Sequence, residues 1–442
     1  MRIKKTKLLI WIIIFTISFY MFSKVLKYNK IMLLSVSRDG KYALSTDDFN
    51  TAILWDLKKH TQKTLDNYAN IYSAYFLKDS QHYMWQDWDN VVHIENLNGQ
   101  EIKNFKIDYE VYGHVMTTDL QHYFYSDSHH DLYKGYGEQR KLVLDMNGES
   151  GGIQLLNLSL DENEEKLLSS GSGSPGLDNI PLEAGTSAEE AGIEAMRNYP
   201  LLKGIVLWDV KSGKPTKKLA ANDPGHRGKI YATISPNGKM AISGCNQRFA
   251  YVWDLKSGKY SSLYNLNYGK FLGLLPGYED KPTKEQWDRV GLLPIPEDYT
   301  GSKESRTFPL ILKYIDMNGH YLRIDEYSKY AVLYHESDPK PLKYLKFDSL
   351  SQHVDHSLKR NQAIDSSPQA NILVMAKEFR RGIIIYKYNP ESLTLKKEWV
   401  SGSEWFDYLA DNVIIFGDAF LHIMKGLWVL CCILTGASHH AF

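Results

Sequence analysis

The best metal candidate in the chain is the group Asp127, His129, His130 and Asp131, within HYFYSDSHHDLYKGYG. Imidazole nitrogens and carboxylate oxygens suit a zinc-type ion when at least three of them converge on one point. Adjacent side chains on an extended chain point to opposite faces, so His129 and His130 do not readily share an ion, and the group reads as a hairpin turn facing solvent. Nucleophilic and phosphate chemistry have no better footing. There is no Gly-x-Ser-x-Gly elbow, no His-Glu-x-x-His helix and no Gly-x4-Gly-Lys loop; the Gly-Lys pairs starting at Gly213, Gly228, Gly238, Gly258 and Gly269 fall at turns and unit boundaries. The three cysteines, Cys245, Cys431 and Cys432, supply no disulfide framework, because the adjacent pair is poorly placed to bridge to itself. The expectation is a protein with no catalytic residues, no cofactor and no metal.

Binding chemistry is better represented. Trp85 and Trp88 lie in MWQDWDN, read as a hairpin tip, where the two rings are hard to bury together. An exposed one would suit a partner surface, since aromatic anchors carry interface energy. A second set, Ile193, Met196 and Tyr199, lies on a short helix expected over AEEAGIEAMRN, which the capping-box spacing from Ser187 to Glu190 opens. The sequon Asn157-Leu158-Ser159 falls in a strand pattern and reads as a chance match rather than a glycan site.

These residues must be positioned by a repeated element. The stretch 204–263 writes one pattern twice: IVLWDV and AYVWDL are apolar runs ending in Trp-Asp, each followed by a Lys-Ser-Gly-Lys turn. Gly213 and Gly258 can take the positive φ that such a reversal needs. Between them ISPNGKMAIS is a hairpin signal, with Asn237 and Gly238 tolerant of left-handed geometry. Each unit therefore reads as four short antiparallel strands. Trp55, Trp208 and Trp253 lie on third-strand runs apolar on both faces, as burial between neighbouring sheets requires.

The Trp-Asp endings, together with Gly225-His226 at the opening of a unit, resemble the WD-repeat β-propeller, whose units run to ~40 to 45 residues. The same rhythm runs through units at 31–65, 71–107, 111–144, 153–219, 309–347 and 363–400. His93-Ile94-Glu95 replaces the Trp-Asp stretch in the second, and Tyr386-Lys387 replaces it in the last. The resemblance implies an all-β propeller of seven four-stranded blades spanning 31–424, or of eight if 405–424 adds strands to a blade completed from either end. It also implies a rigid platform for proteins or peptides. The family tends to place an Asp before the third strand, and Gln247 departs from that in the fifth unit.

Two insertions interrupt the rhythm, at 171–203 and 268–306; the first is rich in Gly and Ser before its helix, and the second carries four prolines. Long loops on a rigid scaffold commonly carry function. At the N-terminus, 1–7 holds Arg2, Lys4, Lys5 and Lys7, and 8–22 (LLIWIIIFTISFYMF) is uncharged and apolar. It reads as a membrane helix over 1–30, a signal-anchor kept in the mature protein, because SKVLKYNK behind it offers no small-x-small cleavage site. The charge bias places the N-terminus in the cytoplasm and the propeller outside, periplasmic or extracellular. The tail 425–442 carries a short apolar run with no assigned role.

Composition narrows the partner. The chain of 442 residues has 52 basic and 52 acidic side chains, which gives no electrostatic footprint for nucleic acid. Its 30 Tyr and 10 Trp favour strands. The leading expectation is a membrane-anchored, non-catalytic propeller that binds a protein or peptide partner. Two alternatives stand beside it: an inhibitor or immunity protein against a specific toxin or hydrolase, and a propeller enzyme or cofactor protein using the central channel.

Overall fold

The computed structural model of the protein describes residues 31–47, 51–65, 71–87, 89–107, 111–127, 132–136, 139–144, 154–172, 205–219, 230–245, 250–262, 311–324, 330–347, 364–376 and 382–401. They form seven four-stranded sheets, each made of consecutive antiparallel strands. The blades cover 31–65, 71–106, 111–144, 154–219, 230–262, 311–346 and 364–400. Within each blade the chain runs out along the first strand, back along the second, out along the third and back along the fourth.

Local chemistry sets the turns. In blade 1 the Ser37 hydroxyl accepts from the Tyr42 amide at 2.9 Å and donates to Asp39 Oδ1 at 2.9 Å, and Gly40 takes φ +67°. Ser235 and Asn237 repeat this in blade 5, with Gly238 at φ +64°. The hairpin expected at Asn237-Gly238 is therefore present, and its side chains hold it as well as its glycine does. At the other end of the second strand, Asp47 Oδ1 accepts from the Thr51 amide and Asp87 Oδ1 from the Val91 amide, each at 2.8 Å.

A sheet with two apolar faces must be covered on both, and the blades cover one another. The buried apolar side chains fall into seven clusters, one at each junction between neighbouring blades. Trp55, Trp208 and Trp253 are buried, each packed against the preceding blade. Each indole Nε1 donates at 2.8 Å to a serine on the second strand: Ser45, Ser169 and Ser243. A buried N–H left without an acceptor is costly, so the serine is as much a part of this position as the tryptophan.

The ring closes directly between blades 7 and 1. Ile372, Val374, Ile383 and Ile385 of blade 7 pack with Ile31, Ile53 and Trp55 of blade 1. No strand is shared across this seam: both flanking sheets consist of their own four consecutive strands. The alternative of an eighth blade is thereby corrected, since blade 7 already rests on blade 1 and leaves no gap. Residues 405–424, which would have supplied it, lie outside the described residues, as do the membrane helix expected over 1–30 and the tail 425–442. Among the described residues, no helix is long and apolar enough to cross a membrane.

Candidate functional site

Trp85 does not sit at a hairpin tip. It lies within the second strand of blade 2 (His82–Asp87), 9% exposed, in the cluster between blades 1 and 2. Its ring stacks on His93 with centroids 4.0 Å apart, and its indole N–H donates to Glu95 Oε1 at 3.0 Å. The sequence reading makes the two rings of MWQDWDN hard to bury together and offers either as the exposed one. The strand's twofold alternation turns Trp85 inward and leaves the turn to begin beyond Asp87. Trp88, Ile193, Met196 and Tyr199 lie outside the described residues, as do His129, His130, Asp131 and Gln247. Among the described residues, no group of three or more potential ligands could hold a metal ion.

Where the insertions attach is nevertheless defined. The first is bounded by Ser172, at the end of a second strand, and Ile205, at the start of a third. The second is bounded by Ser262, at the end of a fourth strand, and Ile311, at the start of a first. With the alternating strand directions, all four positions lie on one face of the ring. Ile31, where the first strand begins, and Ser401, just past the last strand, lie on that face too. We call it the connection face; the opposite face carries only the short turns between first and second and between third and fourth strands.

The first strands of all seven blades line a central cavity of about 430 Å³. An inner strand has no backbone partner on its channel side, and polar side chains fill that role across blade boundaries. Ser35 accepts from the Phe76 amide, Asp365 from the Val36 amide, Ser170 from the Ala232 amide, and Asn157 donates to the Ala232 carbonyl. Asn157 of the sequon is thus engaged inside the wall. Ser366 donates to the Tyr314 carbonyl and Lys313 pairs with Asp365 at 2.9 Å. These groups are the ones a sequence search for chemistry would list, and the structure spends them on holding blades together.

At the short-turn mouth, Glu162 of blade 4 pairs with Arg38 of blade 1 at 2.5 Å and with Lys78 of blade 2 at 2.8 Å. Arg38 and Glu162 come from non-adjacent blades, so their pair spans the opening. Beside it Glu164 accepts from the Thr118 amide and hydroxyl, while burial raises its pKa above the usual carboxylate value. Deeper in the wall, His114 rests on Tyr75 with ring centroids 4.7 Å apart, and burial lowers its pKa to about 3, so the imidazole is neutral at physiological pH. Nothing in the sequence separated His114 from the histidines in turns, because what distinguishes it is burial against Tyr75 of the neighbouring blade.

No protein-family model matches the chain, and no curated protein matches it. The fold matches 1547 chains of solved structures, a number that marks a widely used architecture and selects no partner. One of them is the β-propeller domain of Cps50 (Swd1) from Myceliophteria thermophila, at 12% identity and a TM-score of 0.50, covering 82% of this chain and 98% of that one. At that identity the likeness shows a shared fold, a seven-bladed β-propeller.

Proposed function

We propose that the chain is a membrane-tethered, non-catalytic WD-type propeller that presents a protein-binding surface on its connection face. The observation that carries this reading is the attachment of both insertions, the start of the first strand and the end of the last on one face of a ring whose other face carries only short turns. The apolar run 8–22 is eight residues ahead of Ile31, so a helix there would hold the connection face near a bilayer. The polar groups of the channel wall act between blades, which favours a scaffold over an enzyme that works through the channel. Trp88, Ile193, Met196 and Tyr199 are the candidate contacts with the partner.

The test is capture from detergent-solubilised membranes with the full chain, in parallel with a variant lacking 173–198 bridged by a short Gly-Ser link. The reading expects a stoichiometric protein captured by the full chain, weaker capture by the deletion, and an unchanged melting temperature. It is overturned if the chain is recovered in soluble form without detergent, if intact-mass measurement shows the first 25 or so residues removed, or if the deletion captures the partner as well as the full chain.

A further inference from the structure

The chain is neutral overall, but its charge is unevenly placed. On the short-turn face, the turns between third and fourth strands of blades 4 and 5 read Lys211-Ser212-Gly213-Lys214 and Lys256-Ser257-Gly258-Lys259, and all four lysines are exposed. In the outer strand of blade 3, Lys141 stands exposed opposite Lys134.

Contacts across the blade boundaries make these turns continuous. Lys134 of blade 3 donates to the Lys211 carbonyl, and its aliphatic stem lies over Gly213. Lys217 of blade 4 donates to the Lys256 carbonyl and covers Gly258 in the same way. The Lys134 and Lys217 ammonium groups thus act as clasps that hang the next turn on the preceding blade, and leave the turn lysines facing solvent. The acidic residues of the two turns are already committed. Asp209 Oδ1 accepts from the Ser212 amide at 2.7 Å and Asp254 Oδ1 from the Ser257 amide at 2.6 Å; hydrogen bonding from the Ser212 hydroxyl and amide, and from the Ser257 amide and hydroxyl, holds the two carboxyls below their usual pKa.

The neighbouring turns differ. The corresponding turn of blade 6 carries Glu336 and Asp338 and that of blade 7 carries Glu391, while the blade 1 turn, separated from blades 3 to 5 by blade 2, has Lys58 beside a Lys59 that pairs with Asp56 at 3.1 Å. The basic arc is therefore local to blades 3 to 5. A clustered field of one sign raises the local concentration of the opposite sign and steers its approach.

We propose that the arc formed by Lys141, Lys211, Lys214, Lys256 and Lys259 is a docking surface for an acidic segment of a partner protein. The five charges sit on two turns and one adjoining strand of a chain with no net charge, too small a basic field for the backbone of a nucleic acid and matched in size and sign by a short run of carboxylates. A lipid surface fits poorly as well, because the arc opens on the face opposite Ile31. That last clause rests on the membrane-tethered reading; the charge argument does not.

The experiment uses the full chain in detergent at about 0.15 M salt, where exposed charges more than ~8 Å apart are largely screened. Binding of poly-L-glutamate is compared with binding of polyphosphate and of anionic lipid vesicles. The arc variant carries Lys211→Glu, Lys214→Glu, Lys256→Glu and Lys259→Glu; the control carries the same change of charge at Lys58, Lys106, Lys340 and Lys396. The proposal expects poly-L-glutamate to bind, the arc variant to bind it at least about tenfold more weakly, and the control to match the native chain, with all three melting alike. Equal loss in arc and control variants would show only net charge at work and overturn it. So would tighter binding of polyphosphate or vesicles than of poly-L-glutamate, or no binding at this salt. If the arc variant melts lower, Lys211→Gln with Lys256→Gln replaces it and the same comparison decides. A chain that captures its membrane partner but ignores poly-L-glutamate refutes the arc alone, whereas one that binds poly-L-glutamate and captures nothing refutes only the scaffold reading.

Discussion

Trp85 donates to Glu95 across two strands of blade 2, and the pair is the reverse of the one in blades 1, 4 and 5. There a third-strand tryptophan donates to a second-strand serine, as Trp55 does to Ser45. In register, Tyr83 opposite Glu95 matches Ala43 opposite Trp55, so Glu95 holds the tryptophan position and Trp85 the serine position. Donor and acceptor have changed strands while the buried hydrogen bond has been kept. Glu95 also accepts from the Tyr83 hydroxyl at 2.7 Å, so a carboxylate 6% exposed satisfies two buried donors.

Glu95→Ala therefore strands the Trp85 indole and the Tyr83 hydroxyl together. The expected loss is about 2 to 4 kcal/mol of stability, with a smaller loss for Glu95→Gln, which keeps one acceptor oxygen. Urea unfolding followed by tryptophan fluorescence measures both; equal midpoints for Ala and Gln would show that the two hydrogen bonds are not what holds this site.

Blade 3 solves the same position differently. Gly135 stands where blade 1 has Trp55, and the ring of Tyr123 lies over it so closely that an added Cβ would come within 1.8 Å of the Tyr123 ring. Gly135→Ala should cost about 1 to 3 kcal/mol through this overlap. Because the two residues share one space, the cost should shrink when Tyr123→Ala is already present. A double-mutant cycle that comes out additive would refute the substitution of one ring for another.

The seam between blades 7 and 1 has no shared strand, so side chains carry it. Asp365 joins three blades there, accepting from the Val36 amide at 2.8 Å and pairing with Lys313 of blade 6. Asp365→Ala should destabilise by about 1 to 3 kcal/mol, and Asp365→Asn by less. Hydrogen exchange should quicken first in the first strand of blade 1 (Ile31–Val36). Uniform quickening around the ring would mean that the seam is no weaker than the other junctions.

His114 should give the fold an acid sensitivity. Unfolded, it takes up a proton near its usual value of 6.5; in the fold, burial holds its pKa at about 3. Between those values the unfolded state binds the extra proton, so stability falls as pH is lowered from about 6.5 towards 3. His114→Phe keeps a ring against Tyr75 and removes the titration. The melting temperature of the variant should fall less than that of the native chain between pH 7 and 4.5; parallel curves would assign the acid sensitivity to other groups.

Much of the fold was legible because it is written locally. A turn such as Ser235 to Gly238 needs only its own hydroxyl, amide oxygen and glycine, and the apolar runs IVLWDV and AYVWDL announce sheets covered on both faces. Unit boundaries, strand number and the burial of Trp55, Trp208 and Trp253 all follow from such short-range patterns. What the sequence could not decide are relations between units that lie far apart in the chain. Seven blades rather than eight depends on whether Ile372 and Val374 meet Ile31, separated by more than three hundred residues. Trp85 looked like a surface anchor because its acceptor, Glu95, stands on the next strand at a position where blades 1, 4 and 5 carry tryptophan. Arg38 and Glu162, unremarkable in two separate turns, became partners only when ring closure set blades 1 and 4 across one channel mouth. Local propensity fixes the blade; burial between blades and the closure of the ring decide which side chains are structural, and no spacing along the chain encodes that.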